Sequence, residues 1–210
     1  MSMGKTARAL PQSAFEAPLQ MRVDLRTGLH AGALVATFAG TMEDWVLTLA
    51  AARQDWVAAG NSQPLSAAAP AYLFEQGEAA RLDALLRGAG FPMRGATIEL
   101  EESELAACER AGMEAVERLR ARGWGVALRC APACPLALGS RGRSLFTEVL
   151  APAPSDLSPA AALAEPASGG LLTRLRAAQA FGLPTTALNV KSPAHAGLLT
   201  ALGFDRGEYA

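Results

Sequence analysis

The sequence predicts an α/β fold, a single domain in which a mostly parallel sheet or barrel carries helices on its outside. Three observations predict it. Two strand-like stretches follow each other near the start, joined at Arg26-Thr27-Gly28, and after them helical and strand-like periodicities alternate as repeated βα units. Half of the 210 residues are apolar, enough for a substantial core in a chain of this length.

Residues 1–16 show little periodicity and read as a flexible lead-in, leaving 17–210 as the domain. Pro18 to Leu25 roughly alternates and ends where the Arg-Thr-Gly turn is natural; Leu29 to Phe38 is the second strand of the hairpin. Thr41 offers an N-cap with Asp44 three residues on, and Trp45, Leu49, Ala52 and Trp56 trace one face of a helix that Gly60-Asn61 ends. Both tryptophans are expected to pack against the sheet. A short strand around Gln63 to Ser66 contains Pro64, which removes a ladder donor. Tyr72 to Leu86 is a helical pattern closed by Gly88 and Gly90, and Ala96 to Glu101 is the next strand. Ser103 to Arg122 reads as one helix with Met113, Val116 and Leu119 inward and Glu114 four before Arg118.

Trp124 to Arg129 is a strand, Cys130 to Pro135 a loop, Leu136 to Gly142 a helical turn, and Leu145 to Leu150 a further strand. Pro152, Pro154, Pro159 and Pro166 prevent any long regular element between Ala151 and Ser168. Leu171, Leu172, Leu175, Ala178 and Phe181 mark a helix stopped at Gly182-Leu183-Pro184. Thr185 to Val190 is a strand, and Ser192-Pro193 opens a helix that runs through Leu202 and closes at Gly203.

Composition excludes several classes of function. Lys and Arg number 19 against 20 Asp and Glu, so no basic field exists to attract nucleic acid. The N-terminus lacks the apolar centre of a signal peptide, and no apolar run approaches the roughly 18 residues of a membrane span, so a cytoplasmic protein without membrane contact is expected. Cys108, Cys130 and Cys134 are odd in number and read as reduced thiols. The Cys130/Cys134 pair lacks two further zinc ligands, since the histidines are His30 and His195 alone. Neither histidine has a nucleophile or acid at a telling spacing, and both read as packed or solvated.

Thr97 to Ser103, T-I-E-L-E-E-S, carries the chemistry. Glu99, Glu101 and Glu102 stand where a strand meets the following helix, which in βα units is the mouth where sites are built. Two readings stay open: oxygen ligands for a metal, or acids that satisfy the positive end of the helix.

In order along the chain these landmarks resemble the EAL domain, the family of cyclic di-GMP phosphodiesterases. V-D-L-R-T-G at Val23 to Gly28 is similar to the family's opening strand and turn, with Gln20 at the glutamine of its Q-P-I-V-D motif. I-E-L-E-E-S at Ile98 to Ser103 resembles its L-E-I-T-E-S strand, Leu119 to Leu128 the stretch before its D-D-F-G-T-G loop, and Leu198 to Asp205 its last βα unit. The resemblance implies a modified TIM-type (β/α) barrel whose first strand runs antiparallel. It also implies an incomplete C-terminal end, because Gly207 to Ala210 stand where the family's last segment begins.

By the same alignment most signature residues are replaced. The E-A-L triplet falls on Leu34-Val35-Ala36, the arginine after it on Phe38, and the asparagine of N-L-S on Pro64. The Asp-Asp pair becomes Arg129-Cys130, the catalytic lysine lands near Ala151, the A-E-G-V-E-T acids fall on Leu188 and Lys191, and Glu208 replaces a glutamine. Glu99, with Glu102 beside it, remains from the metal cage. One carboxylate cannot both hold hard divalent cations and activate water, and Arg129 adds positive charge while offering Glu99 an ion pair.

The resemblance therefore implies a pseudo-enzyme with no catalytic residue, no metal and no cofactor. Its expected partner is another protein, in bacterial signalling or motility, with Leu34, Phe38, Arg129, Leu188 and Lys191 as the interaction surface at the barrel mouth. The alternative for the apolar replacements is that they plug the old cavity. Cyclic di-GMP is disfavoured as a ligand; a non-catalytic receptor for it is the second expectation, and an active phosphodiesterase the third.

Overall fold

The computed structural model describes residues 18–35, 40–75, 77–91, 94–131, 142–154 and 166–209. The lead-in, Phe38, Cys134 and the expected helical turn after Leu136 lie outside them. Eight strands close a barrel in sequence order: β1 (Leu19–Asp24), β2 (His30–Val35), β3 (Leu65–Ala68), β4 (Ala96–Glu101), β5 (Gly125–Arg129), β6 (Glu148–Pro152), β7 (Thr185–Val190) and β8 (Arg206–Tyr209). β1 runs antiparallel to both β2 and β8, and every other neighbouring pair is parallel. The antiparallel first strand is the one expected.

β8 corrects the expectation of an incomplete barrel. Arg206-Gly207-Glu208-Tyr209 pairs with β1 on one side and β7 on the other. It is too short and too polar for a periodicity test to separate it from a tail.

Helix α1 (Met42–Ala58) begins at a capping box in which the Thr41 hydroxyl accepts from the Asp44 N–H and the Asp44 carboxylate accepts from the Thr41 N–H. Its buried stripe includes Trp45, Leu49, Ala52 and Trp56, as the spacing requires. The indole N–H groups of Trp45 and Trp56 donate to the carbonyls of Ala68 and Gln63, at 3.0 and 2.9 Å, tying the helix to both ends of β3.

Two expected helices are each split. Tyr72 to Leu86 is a 3-10 turn (Ala71–Phe74) followed by α2 (Glu78–Gly88), because Gly77 at φ 90° adopts a left-handed conformation that interrupts the helix. Ser103 to Arg122 is α3 (Glu102–Ala107) and α4 (Glu109–Ala121), meeting at Cys108. The short α5 (Gly142–Leu145) precedes β6, whose start at Glu148 moves the expected strand three residues on. Likewise β3 begins after Pro64, which keeps the missing donor outside the ladder. α6 (Pro166–Ala180) and α7 (Pro193–Leu202) complete the outer layer; the Ser192 hydroxyl caps α7 by accepting from the His195 N–H.

The main core lies between strands and helices, where Ile98, Leu100, Val126, Leu128, Val149 and Ala187 meet the helices' apolar stripes. Inside the barrel, Ala127, Leu150 and Leu188 form a separate small cluster. Other buried residues in the inward phase, among them Arg22, Ser66, Glu99, Glu148 and Thr186, are polar. Among the described residues no helix is long and apolar enough to cross a membrane.

Candidate functional site

Along β1 the period of two puts Gln20, Arg22 and Asp24 in one phase. Arg22 is buried, 2% exposed, and reaches partners on strands that β1 does not pair with. Its Nη1 donates to the Ser66 hydroxyl on β3 at 3.1 Å, and its Nη2 stands 2.5 Å from Glu99 Oε1 on β4. Such contacts are possible only across the barrel's inside. Nε and Nη2 also donate to Glu208 Oε2 at 2.9 and 2.7 Å, and Glu208 is the residue opposite Arg22 in the β1–β8 ladder.

Glu99 is 3% exposed, and although its Oε1 is in ion-pair contact with Arg22, neither of its oxygens accepts a hydrogen bond in good geometry. Burial pushes its carboxyl pKa up, and the cations of Arg22 and then Arg129 pull it back only in part. For Arg22, burial works against the charge, but Glu99, Glu148 and Glu208 outweigh it and hold the guanidinium's pKa above its ordinary value. One guanidinium thus lies between two carboxylates in a nearly water-free interior.

A second polar group lies beside it. The Thr186 hydroxyl on β7 donates to Glu148 on β6, and Arg206 Nη1 on β8 stands 3.3 Å from the same Glu148 oxygen.

Glu102 sits elsewhere. It is the first residue of α3, fully buried, with Arg174 Nη1 of α6 at 2.5 Å and the Ala131 N–H donating to its Oε2 at 3.3 Å. Of the two readings of the acidic stretch, Glu102 follows neither simply: it holds α6 against the end of β5. Glu101 is half-exposed, and Arg129 Nη1 lies 3.6 Å from it. That corrects the expected Arg129–Glu99 pair, since Glu99 and Glu101 share a phase but Glu101 lies one step nearer the mouth, opposite Arg129 in the β4–β5 register.

The remaining expected positions are spread through the barrel. Gln20 is exposed on β1. Leu34 and Leu188 are buried at 4% and 5% exposure, Leu188 within the small interior cluster, so these two side chains fill space rather than form an open patch. Lys191 is exposed just past β7, where the ladder shifts register and Asn189 takes a left-handed φ of 62°. Phe38 lies outside the described residues. His195 is packed, its Nδ1 accepting from the Lys191 N–H and its Nε2 2.9 Å from the Pro154 carbonyl.

The divalent-cation site that the resemblance brings with it needs several converging oxygens. These residues do not fit it. A leucine, a proline, an arginine and a lysine stand where the ligands are expected, and Glu99 faces a guanidinium. Among the described residues no three His, Cys, Asp or Glu side chains gather as a metal site.

No family model matches the sequence, and no curated protein matches it significantly. Solved structures do. The PaMucR phosphodiesterase in complex with c-di-GMP superposes with a TM-score of 0.70 at 18% identity, covering 91% of this chain and 92% of that one. The fold is that of the EAL domains. The EAL domain of Mycobacterium smegmatis DcpA gives a TM-score of 0.69 at 22% identity, with coverage of 91% and 88%. Klebsiella pneumoniae BlrP1, in a calcium and cyclic-di-GMP complex, gives 0.70 at 16%, with 97% of this chain matching 56% of that one. At these identities the likeness is one of fold.

Arg22 was not singled out from sequence. A signal existed: a lone arginine mid-strand, in phase with Gln20 and Asp24. In an isolated strand that phase reads as solvent-facing, and only barrel closure turns it inward. Glu148, Thr186 and Arg206 were missed for the same reason; Arg174 lies on α6, 72 positions from its partner Glu102, with no local pattern to link them.

Proposed function

We propose that this chain is a non-catalytic EAL-like barrel, a pseudo-enzyme that works by binding another protein as a regulator in bacterial signalling or motility. One observation carries the reading: the glutamate at the family's metal position is turned inward onto Arg22, with Glu208 on the same guanidinium. A carboxylate so engaged is poorly placed to recruit a divalent cation or to activate water. The replacements at Leu34, Pro64, Arg129, Cys130 and Lys191 point the same way. Signalling or motility as the process rests on fold analogy alone. Arg129 and Lys191 give the mouth positive charge available to a partner, and Leu34 and Leu188 support that rim from within.

Co-purification of the tagged chain from its native cells, followed by mass spectrometry, tests the reading. A specific partner whose capture falls with Arg129→Glu and Lys191→Glu supports it. Magnesium-dependent turnover of cyclic di-GMP, lost in Glu99→Gln, would restore the enzyme reading. Saturable heat on titrating cyclic di-GMP without turnover would put the receptor reading in its place.

A further inference from the structure

Arg22 Nη2 is within 2.7 Å of one oxygen from each of two carboxylates, Glu99 Oε1 at 2.5 Å and Glu208 Oε2 at 2.7 Å, while the Ser66 hydroxyl faces Nη1 at 3.1 Å. The four side chains come from β1, β3, β4 and β8, so the cluster spans much of the barrel's circumference. Both carboxylates are almost wholly buried. Two carboxylate oxygens this close to one guanidinium nitrogen hold its charge between them through short charge-assisted contacts. Here the cation is covalently attached to the chain.

We propose that Arg22 is the resident cation of this barrel: its guanidinium occupies, as a built-in ligand, a cation-binding position formed by Glu99, Glu208 and Ser66, and thereby makes the folded barrel independent of any added ion. The inference rests on the interior geometry alone, so its failure would not remove the partner-binding reading, nor would the absence of a partner remove it. Its physical basis is the cost of leaving buried carboxylates without a counter-charge. Removing one member of a buried pair is far more damaging than removing both, because what remains is an uncompensated charge in a low-dielectric interior. Truncating Arg22 therefore exposes the position to free ions. It leaves room the size of a guanidinium, two facing carboxylates and a hydroxyl, a donor set suited to free guanidinium or to a hard divalent cation, whose double charge matches two carboxylates better than the arginine does.

The test is thermal unfolding of the full chain as wild type, as Arg22→Ala and as Arg22→Ala/Glu99→Gln/Glu208→Gln. Each is measured in chelator and then with low-millimolar guanidinium, magnesium or calcium. Wild type should not respond to any of these ions. Arg22→Ala should melt on the order of 10 °C lower and recover at least half of that loss with guanidinium or a divalent cation. The triple variant, in which the two carboxylates are neutralised along with the loss of the guanidinium, should be more stable than Arg22→Ala and indifferent to ions. An Arg22→Ala protein that melts like wild type, or one that is destabilised but answers to no cation, overturns the proposal. So does a wild type stabilised by divalent cations as strongly as the variant. If Arg22→Ala does not fold under any condition, the triple variant decides: folding without ions supports a charge-balancing guanidinium, and failure to fold shows that Arg22 acts through its shape.

Discussion

Arg174 Nη1 lies 2.5 Å from Glu102 Oε1, joining α6 to the residue that follows β4 and begins α3. The Glu102 side chain is fully buried and that of Arg174 is 12% exposed, so the contact is not screened as a surface pair would be. Arg174→Met should destabilise the protein by about 1–3 kcal/mol, the cost of taking one charged donor away from a buried carboxylate to which the Ala131 N–H still donates. Adding Glu102→Gln to Arg174→Met should recover part of that loss. Urea unfolding of both single variants and the double variant gives the coupling directly; strictly additive losses would show that the two residues do not act as a pair.

The capping box of α1 sets a smaller effect. Thr41→Ala removes the hydroxyl that accepts from the Asp44 N–H while leaving the helix face untouched. The melting temperature should drop by about 2–4 °C, and Thr41→Ser should lose almost nothing. Equal losses for the two would mean that the methyl group, not the hydroxyl, is what matters.

The outer layer was legible in the sequence because helix-facing residues obey simple periodicities. Trp45 and Trp56 recur at helical spacing and pack where expected, and Ile98 and Leu100, at strand spacing, lie in the same core. The EAL resemblance supplied the barrel and its antiparallel first strand. The interior was far less legible: Arg22, Glu99 and Glu208 meet at one guanidinium although they are separated by up to 186 positions, and no local pattern links them. Arg129 was paired with the wrong glutamate because register between β4 and β5, which decides between Glu99 and Glu101, is a property of the closed sheet. The site was thus visible as a set of replacements but not as an arrangement.

Trp56 separates packing from hydrogen bonding. It is fully buried in the main core and its indole N–H donates to the Gln63 carbonyl at 2.9 Å. Trp56→Ala should cost about 3–5 kcal/mol through the cavity it leaves. Trp56→Phe keeps most of the ring and should cost about 1–2 kcal/mol, mainly for the carbonyl left without its donor. Denaturant midpoints for the two variants check the order; a phenylalanine as damaging as an alanine would show that the indole's bond, not its volume, fixes α1 on the sheet.

The charge on Glu99 should be readable as a pH dependence. Burial raises its carboxyl pKa above the free value of 4.5, with Arg22 opposing incompletely. A carboxyl raised in the folded state binds its proton more tightly there than in the unfolded chain. The stability it contributes is therefore fully present below about pH 4.5 and lost as pH rises through the folded value. Asp24 runs the other way: the Thr27 N–H, 2.7 Å from Asp24 Oδ1, holds its pKa below the ordinary 3.8, so its contribution is lost only as pH falls beneath that range. The two windows do not overlap. Glu101 is also raised by burial, but it is present in both proteins of the comparison and cancels. Glu99→Gln puts an amide of the same shape, which does not titrate, in place of the carboxyl, so its stability relative to wild type should be lowest near pH 4.5 and rise as pH climbs through the folded value. Melting temperatures of the two proteins across that range measure the difference, and a difference that does not change with pH would mean that Glu99 stays ionised against Arg22 throughout.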